Sequence, residues 1–306
     1  MTETENRSEG PAAFRSGFIS IVGKPNVGKS TLLNHLLGEK IAPVSKKPQT
    51  TREVIHGIRT DETSQIIFID TPGMHKPKDA LGELMVQEIK RTLGEADIIY
   101  FVVEPQPKDE ESERFLGLLK DFRGSVFLLI NKVDELEDKS RMLPVIDHYQ
   151  RLFEFKEFVP ISALRKIALD TLLEVTRKYL PVHPPYFPAD MISDRPIRDI
   201  VKELIREKVV RFTGEEIPYV TAVSVEEMSE RDDGLIEIHA NIFVDKESQK
   251  GILIGKGGTK IKQIGQAARQ DLERFLGGHV YLDLRVKVLP GWKNDPSRLK
   301  DFGYSS

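Results

Sequence analysis

Four short apolar runs recur through the first half of the chain: Phe18 to Val22 (FISIV), Ile66 to Ile69 (IIFI), Ile98 to Val103 (IIYFVV) and Val126 to Ile130 (VFLLI). A fifth, FVPI, covers Phe158 to Ile161. Each is rich in β-branched or aromatic residues and continuous rather than alternating, as strands buried on both faces of a parallel sheet are. Helix-period segments lie between them, near Ser30 to Leu37, Gly82 to Thr92, Glu110 to Phe122 and Lys139 to Phe153. This alternation predicts a doubly wound α/β domain with a mostly parallel sheet.

The pattern stops near Leu180, where Pro181, Pro184, Pro185 and Pro188 follow in quick succession. Such proline density excludes helix and ladder and predicts a stiff, extended linker over 181–194. Beyond it, Ile197 to Phe212 reads as an amphipathic helix, followed by strands around Pro218 to Val225 and Leu235 to Val244. In the second strand Ile236, Ile238, Ala240, Ile242 and Val244 alternate with Glu237, His239, Asn241 and Phe243. A Gly-rich, basic helical stretch runs from Gln249 to Leu276, and a last alternating strand from Val280 to Val288. One-sided alternation marks a sheet covered on one face. The expected organisation is a disordered extension over 1–15, an α/β domain over 16–180, the linker over 181–194, and a smaller α+β domain over 195–306.

A chain of 306 residues suffices for about two domains. Cysteine is absent, so disulfides and thiolate metal sites are excluded. No apolar run approaches the roughly 20 residues of a membrane span, and the polar N-terminus lacks a signal-peptide core. A cytoplasmic protein is expected. The net charge of −3 argues weakly against a nucleic-acid partner, but it averages over an asymmetry. Between Lys250 and Lys300 there are 11 Lys and Arg against 4 Asp and Glu. The local excess matters more than the average, because charge is screened within about 10 Å at ordinary salt.

Gly23-Lys24-Pro25-Asn26-Val27-Gly28-Lys29-Ser30, followed by Thr31, matches the phosphate-loop pattern G-x-x-x-x-G-K-S between a strand and a helix. Glycines let successive N–H groups converge on phosphates, the helix adds its positive end, Lys29 reaches the terminal phosphates and the Ser30 hydroxyl suits Mg²⁺. A flexible Gly turn is the bland alternative. Asp70-Thr71-Pro72-Gly73 closes the run IIFI. There Asp70 can hold Mg²⁺ through water, and the Gly73 N–H can meet a γ-phosphate. Asn131-Lys132-Val133-Asp134 closes VFLLI, about 60 residues later. The Asp134 carboxylate can accept from the N1–H and exocyclic amine of guanine, a donor pair that adenine lacks. Asn131 can bond the other edge of the base, and the stem of Lys132 can cover it. Ser162-Ala163-Leu164 can donate a backbone N–H to guanine O6. In Gln49-Thr50-Thr51-Arg52-Glu53 one hydroxyl can complete the Mg²⁺ shell, and Thr51 is preferred over Thr50. The expected catalytic groups are Lys29, Thr51 and Gly73.

In the second domain Ile254-Gly255-Lys256-Gly257-Gly258 fits the GxxG loop of a KH domain. Lys256, Lys260 and Lys262 would supply charge to phosphates. Alone the motif also reads as a second phosphate turn or a helix break. The element order helix, two strands, two helices, strand agrees with the type II KH arrangement, whose groove takes about four unstacked nucleotides of single-stranded RNA.

The motifs GKPNVGKS, TTRE, DTPG, NKVD and SAL resemble the five ordered motifs of the translation-factor-related GTPases. With its C-terminal region the chain resembles the Era family along nearly its full length, outside only the first 15 or so residues. The resemblance implies a Ras-like P-loop GTPase domain followed by a type II KH domain, with GTP/GDP and Mg²⁺ as cofactors. It further implies slow hydrolysis of GTP, and binding to the 3′ end of 16S rRNA as a switch in 30S subunit assembly. Met74 stands where Ras-like GTPases carry a water-orienting glutamine, so intrinsic turnover is expected to be slow. His75 reads as a solvated loop residue ahead of a catalytic one. Relatives sharing Asn26 are similar in using K⁺ beside the phosphates, which makes Asn26 a candidate K⁺ ligand against the simpler reading of a loop-stabilising Asn. A monomer is expected. Competing readings are a GTPase module of an RNA-modifying enzyme, for which no further catalytic motif is present, and a GTPase in peripheral contact with the cell membrane, for which no lipidation motif is present.

Overall fold

The computed structural model describes residues 13–45, 47, 50–73, 79–106, 109–214 and 216–304. The first domain is built from β1 (Arg15–Val22), α1 (Lys29–Leu37), β2 (Ile55–Thr60), β3 (Ser64–Asp70), α2 (Ala80–Glu95), β4 (Ile98–Val103), α3 (Glu110–Leu116), β5 (Ser125–Ile130), α4 (Met142–Leu152), β6 (Glu157–Pro160) and α5 (Leu169–Tyr179). The sheet order is β2-β3-β1-β4-β5-β6. Every pairing is parallel except β2 with β3. The continuous apolar runs are the strands buried on both faces: Ile66 to Ile69, Ile98 to Val103 and Val126 to Ile130 are all buried. β2 has no such run, because it is an edge strand with half-exposed His56, Arg59 and Thr60.

Residues 181–194 carry no helix or strand, but they are not a free linker. Val182 forms an isolated bridge with Arg15. Ser16 Oγ donates to Pro184 O at 2.6 Å, and the Gln65 side chain accepts from the N–H groups of Tyr186 and Phe187. Ile58 N donates to Ile192 O, which covers the exposed edge of β2. The first domain thus holds the segment along its length.

The second domain comprises α6 (Ile197–Phe212), α7 (Ile217–Val220), β7 (Ala222–Glu230), β8 (Ile236–Val244), α8 (Glu247–Ile254), α9 (Thr259–Leu276), β9 (Val280–Val288) and α10 (Pro296–Asp301). β8 is central, antiparallel to β7 and parallel to β9. The strand expected from Pro218 begins later, at Ala222. Pro218 fixes φ near the helical value and sits in the first turn of α7, where its missing N–H is harmless. The helix expected over Ile197 to Phe212 is α6, and its polar face is covered as well as its apolar one. Every residue from Ile200 to Val210 is buried, including Lys202, Glu203, Arg206, Glu207 and Lys208, because Lys40, Val44, Lys47 and Glu53 of the first domain lie across its polar stripe. No helix among the described residues is long and apolar enough to cross a membrane.

Candidate nucleotide site and RNA-binding turn

Between the end of β1 and the start of α1, residues 23–28 turn the chain at the C-terminal edge of the sheet, where open α/β sheets bind ligands. Gly28 (φ 103) caps α1 without a side-chain bond, so the first N–H groups of α1 are free to meet an anion. Lys29 is buried within this loop, and its Nζ donates to Gly23 O at 3.0 Å and Lys24 O at 2.9 Å. Burial lowers its ammonium to about 8, with Asp70 and Glu111 acting in the opposite sense. A buried cation satisfied by carbonyls alone is suited to receive phosphate oxygens.

Ser30 Oγ donates to Asp70 Oδ2 at 2.6 Å and lies 2.8 Å from Thr51 Oγ1. Thr50 turns away, donating to Lys47 O. Asp70 is fully buried, and its Oδ1 has no hydrogen-bond partner among the described residues. Burial raises its carboxyl to about 6 against the pull of Lys29, Ser30 and Thr51. Three hard oxygens converging beside an orphaned carboxylate oxygen fit Mg²⁺, with Ser30 and Thr51 able to hold it directly and Asp70 through water. Thr71 Oγ1 anchors the next turn on Ile21 O at 2.8 Å, while Pro72 is buried. Gly73 closes against the phosphate loop: a β-carbon there would lie 2.8 Å from Pro25 Cα. Only glycine allows so close an approach to the phosphate loop.

Lys29, Ser30, Thr51, Thr71 and Gly73 line a cavity of about 820 Å³ with Pro25, Asn26, Gly28, Thr31, Lys132, Asp134 and Leu164 in its walls. Asp134 is exposed on the rim. Lys132 holds a left-handed φ of 64, and its Nζ pairs with Glu104. Asn131, in the cavity wall, also has a structural role. It is buried, its Nδ2 donates to Val27 O at 2.6 Å, and its Oδ1 accepts from Ala163 N at 2.8 Å. Its amide therefore ties the phosphate loop to the base loop. Of the Ser162-Ala163-Leu164 segment expected to donate to guanine O6, the Ala163 N–H is engaged in that tie, and Ala163 and Leu164 both line the cavity. Ser162 is buried and accepts from Arg165 N. Two phosphate-loop side chains face elsewhere. Val27 belongs to the core, and Lys24 pairs with Glu104 at 3.0 Å and Asp109 at 2.7 Å, so both can offer phosphates only backbone. Asn26 is exposed at φ 67, a conformation that asparagine tolerates. Gln49, Met74 and His75 lie outside the described residues.

Sequence reasoning missed Glu104, which joins the phosphate loop to the base motif through Lys24 and Lys132. Its signal was position: it follows the run IIYFVV, on the same sheet edge as DTPG and NKVD. It also missed Arg211, which reaches the cavity wall from the last turn of α6. No local pattern marks a residue that arrives from another domain.

In the second domain α8 ends at Gly255 (φ 70), and α9 starts after Gly258 (φ 77). Gly257 (φ 61) is also left-handed. The turn is pinned by Gly258 N donating to Gly255 O at 3.1 Å, and a β-carbon at Gly255 would meet Lys260 Cβ at 2.7 Å. Lys256 and Lys262 are exposed, Lys260 and Ile254 half-buried. Trp292 and Tyr304 are buried packing residues.

A family model described as a 50S ribosome-binding GTPase matches residues 18–132, and one described as a KH domain matches residues 216–293. The chain is 47% identical to GTPase Era of Clostridioides difficile over 294 residues, covering 95% of this chain and 99% of that one. It is 46% identical to GTPase Era of Lactobacillus helveticus over 291 residues, covering 95% and 96%. Two solved structures superpose with a TM-score of 0.92 at 42% identity, covering 96% of this chain and all of theirs: Era of Aquifex aeolicus, as a point variant bound to GDP·AlF₄⁻, and Era in complex with MgGDPNP and nucleotides 1506–1542 of 16S ribosomal RNA. With its phosphate loop, base motif and GxxG turn in one chain, and relatives this similar over their whole length, the protein belongs to the Era family of GTPases.

Proposed function

We propose that this chain binds GTP with Mg²⁺ in the cavity between Lys29 and Asp134, hydrolyses it slowly, and holds single-stranded RNA at the turn 255–258. In this reading it acts as a switch on the 3′ end of 16S rRNA during 30S assembly. The observation that carries it is the convergence of Ser30, Thr51 and the orphaned Asp70 oxygen beside the buried Lys29. Lys29 and the free N–H groups of α1 bind and orient the phosphates. The Gly73 N–H meets the γ-phosphate, the one group that distinguishes GTP from GDP. Bound Mg²⁺ would neutralise charge on the phosphate oxygens. Asp134 reads the base. The RNA half is supported by the left-handed glycines, the exposed lysines and the RNA complex of a relative at 42% identity.

The test uses the full chain. Wild type should bind GTP and reject ATP. Asp134→Asn should lose GTP and gain xanthosine triphosphate, because xanthine presents an acceptor where guanine presents an amine. An oligonucleotide carrying the terminal 16S sequence should bind more tightly than its scrambled counterpart. Equal affinity of wild type for ATP and GTP would remove Asp134 from its role, and equal affinity for the two oligonucleotides would remove the 16S assignment.

A further inference from the structure

After β9 the chain leaves the C-terminal sheet and crosses to the first domain. Trp292 is fully buried, and its Nε1 donates to Val220 O at 3.0 Å. Leu81 and Met85 of α2 pack with it in a cluster completed by Leu299, Phe302 and Tyr304. The Arg52 guanidinium lies 5.9 Å from the indole centre and donates to Thr221 O at 2.8 Å and Pro218 O at 2.5 Å. Arg52 directly follows Thr51. The next two residues of the crossing segment hold the first turn of α2. Asp79 caps that helix by accepting from Gly82 N at 2.9 Å, and it pairs with Lys293 Nζ at 3.1 Å. Ala80 N donates to Asn294 Oδ1 at 3.3 Å.

Packing alone accounts for a buried tryptophan. It does not account for three consecutive residues that hold two segments bordering the nucleotide site. Trp292 touches the residue after the Mg²⁺-facing Thr51. Lys293 and Asn294 fix the helix that begins shortly beyond Gly73. Gly73 is itself seated on Pro25, and Asp79, six positions later in the sequence, is held by Lys293. We propose that Trp292, Lys293 and Asn294 are positioning residues for GTP hydrolysis: the C-terminal domain holds, from across the interface, the two segments that meet the γ-phosphate. The residues act through Thr51 and Gly73 and do not touch substrate. In a site with Met74 where a glutamine would stand, backbone pre-organisation carries a larger share of transition-state stabilisation. The proposal rests on the GTP reading above.

The test compares full-length wild type with Lys293→Met, Lys293→Arg and Trp292→Phe. Lys293→Met keeps the aliphatic stem and removes the charge. It should lower kcat roughly threefold to tenfold and reduce the preference for GTP over GDP, with GDP affinity unchanged because GDP lacks the γ-phosphate. Lys293→Arg should restore kcat. Trp292→Phe should shift kcat in the same direction while its GDP affinity reports an intact fold. If both variants turn over GTP at the wild-type rate, or lose GDP and GTP affinity in parallel, the segment is a packing contact and the proposal is wrong. A wild type that binds GTP without hydrolysing it would overturn the reading on which the proposal stands, an outcome visible before any variant is made.

Discussion

Two buried side chains at the phosphate end of the cavity have ionisation shifted towards neutrality, one from each side. Asp70 is raised to about 6 and Lys29 lowered to about 8, both mainly by burial. In their proposed roles each must be charged to bind: the carboxylate for Mg²⁺, the ammonium for phosphate. Below about 6, binding must expel a proton from Asp70; above about 8, it must deliver one to Lys29. The affinity for Mg²⁺-nucleotide should therefore be flat between these values and fall by up to roughly tenfold per pH unit on either side. A fluorescent guanine nucleotide titrated from below pH 6 to above pH 8 would check this, and a flat profile through pH 6 would mean that Asp70 is ionised in the free protein. The sign for stability differs. The folded pKa of Asp70 lies above its unfolded value of 3.8, so folding is favoured by protonation, and that advantage, about 3 kcal/mol at most, is lost as pH rises from 3.8 to about 6. Mg²⁺ would reverse the loss. The residues that do this were legible in the sequence, because phosphate chemistry demands fixed types at fixed spacing. The tie formed by Asn131 was not, because a motif gives identity and spacing while its side-chain bonds depend on which loops the fold brings together.

At the scale of elements, legibility followed burial. Strands covered on both faces announce themselves as apolar runs; the edge strand β2, half of it exposed, does not. Pro218 sat in a β-rich stretch yet begins a helical turn, since proline at a first turn loses nothing. The α8–turn–α9 unit was legible through its glycines, and the structure adds that Gly257 holds φ 61. A charge change is therefore better placed at the neighbouring Lys256, whose backbone no positive φ constrains. Lys256→Glu removes a positive charge from an exposed turn and adds a negative one. RNA affinity should fall about tenfold, and the slope of log affinity against log salt should drop by about 0.7 for a single lost phosphate contact. Anisotropy with the 16S terminal oligonucleotide over a salt series measures both. An unchanged slope would show that Lys256 meets no phosphate, whatever the affinity does.

At the scale of the whole molecule, the sequence suggests two cores joined by a stiff spacer, because periodicity reports which face of an element is apolar and not what covers its charged face. The charged stripe of α6, one side of an amphipathic pattern in the sequence, forms a seam with the first domain. Lys40 Nζ meets Glu207 at 3.0 Å and Asp271 at 2.6 Å, Glu207 also accepts from Val44 N, Lys47 donates to Val210 O at 2.7 Å, and Lys202 donates to Glu53 at 2.6 Å. One apolar cluster runs from Ile19 and Leu33 in the first domain to Leu204 and Ile264 in the second. Separating the domains would expose that surface to water and break the pairs that cross between them, Lys40 with Glu207 and Asp271 and Lys202 with Glu53. The domains should then unfold together. Trp292 is the single tryptophan and lies in the second domain's tail against α2, so its fluorescence reports on the seam, while far-UV circular dichroism reports on helices of both domains. In urea the two signals should give one coincident transition. Guanine nucleotide at about 100 times its Kd stabilises whatever unfolds with its site by about 2.7 kcal/mol. In a coupled molecule the Trp292 transition moves by that amount, although the nucleotide binds chiefly in the other domain. If nucleotide shifts the circular dichroism in part and leaves the Trp292 midpoint where it was, the two domains are thermodynamically independent and the seam is a contact without coupling.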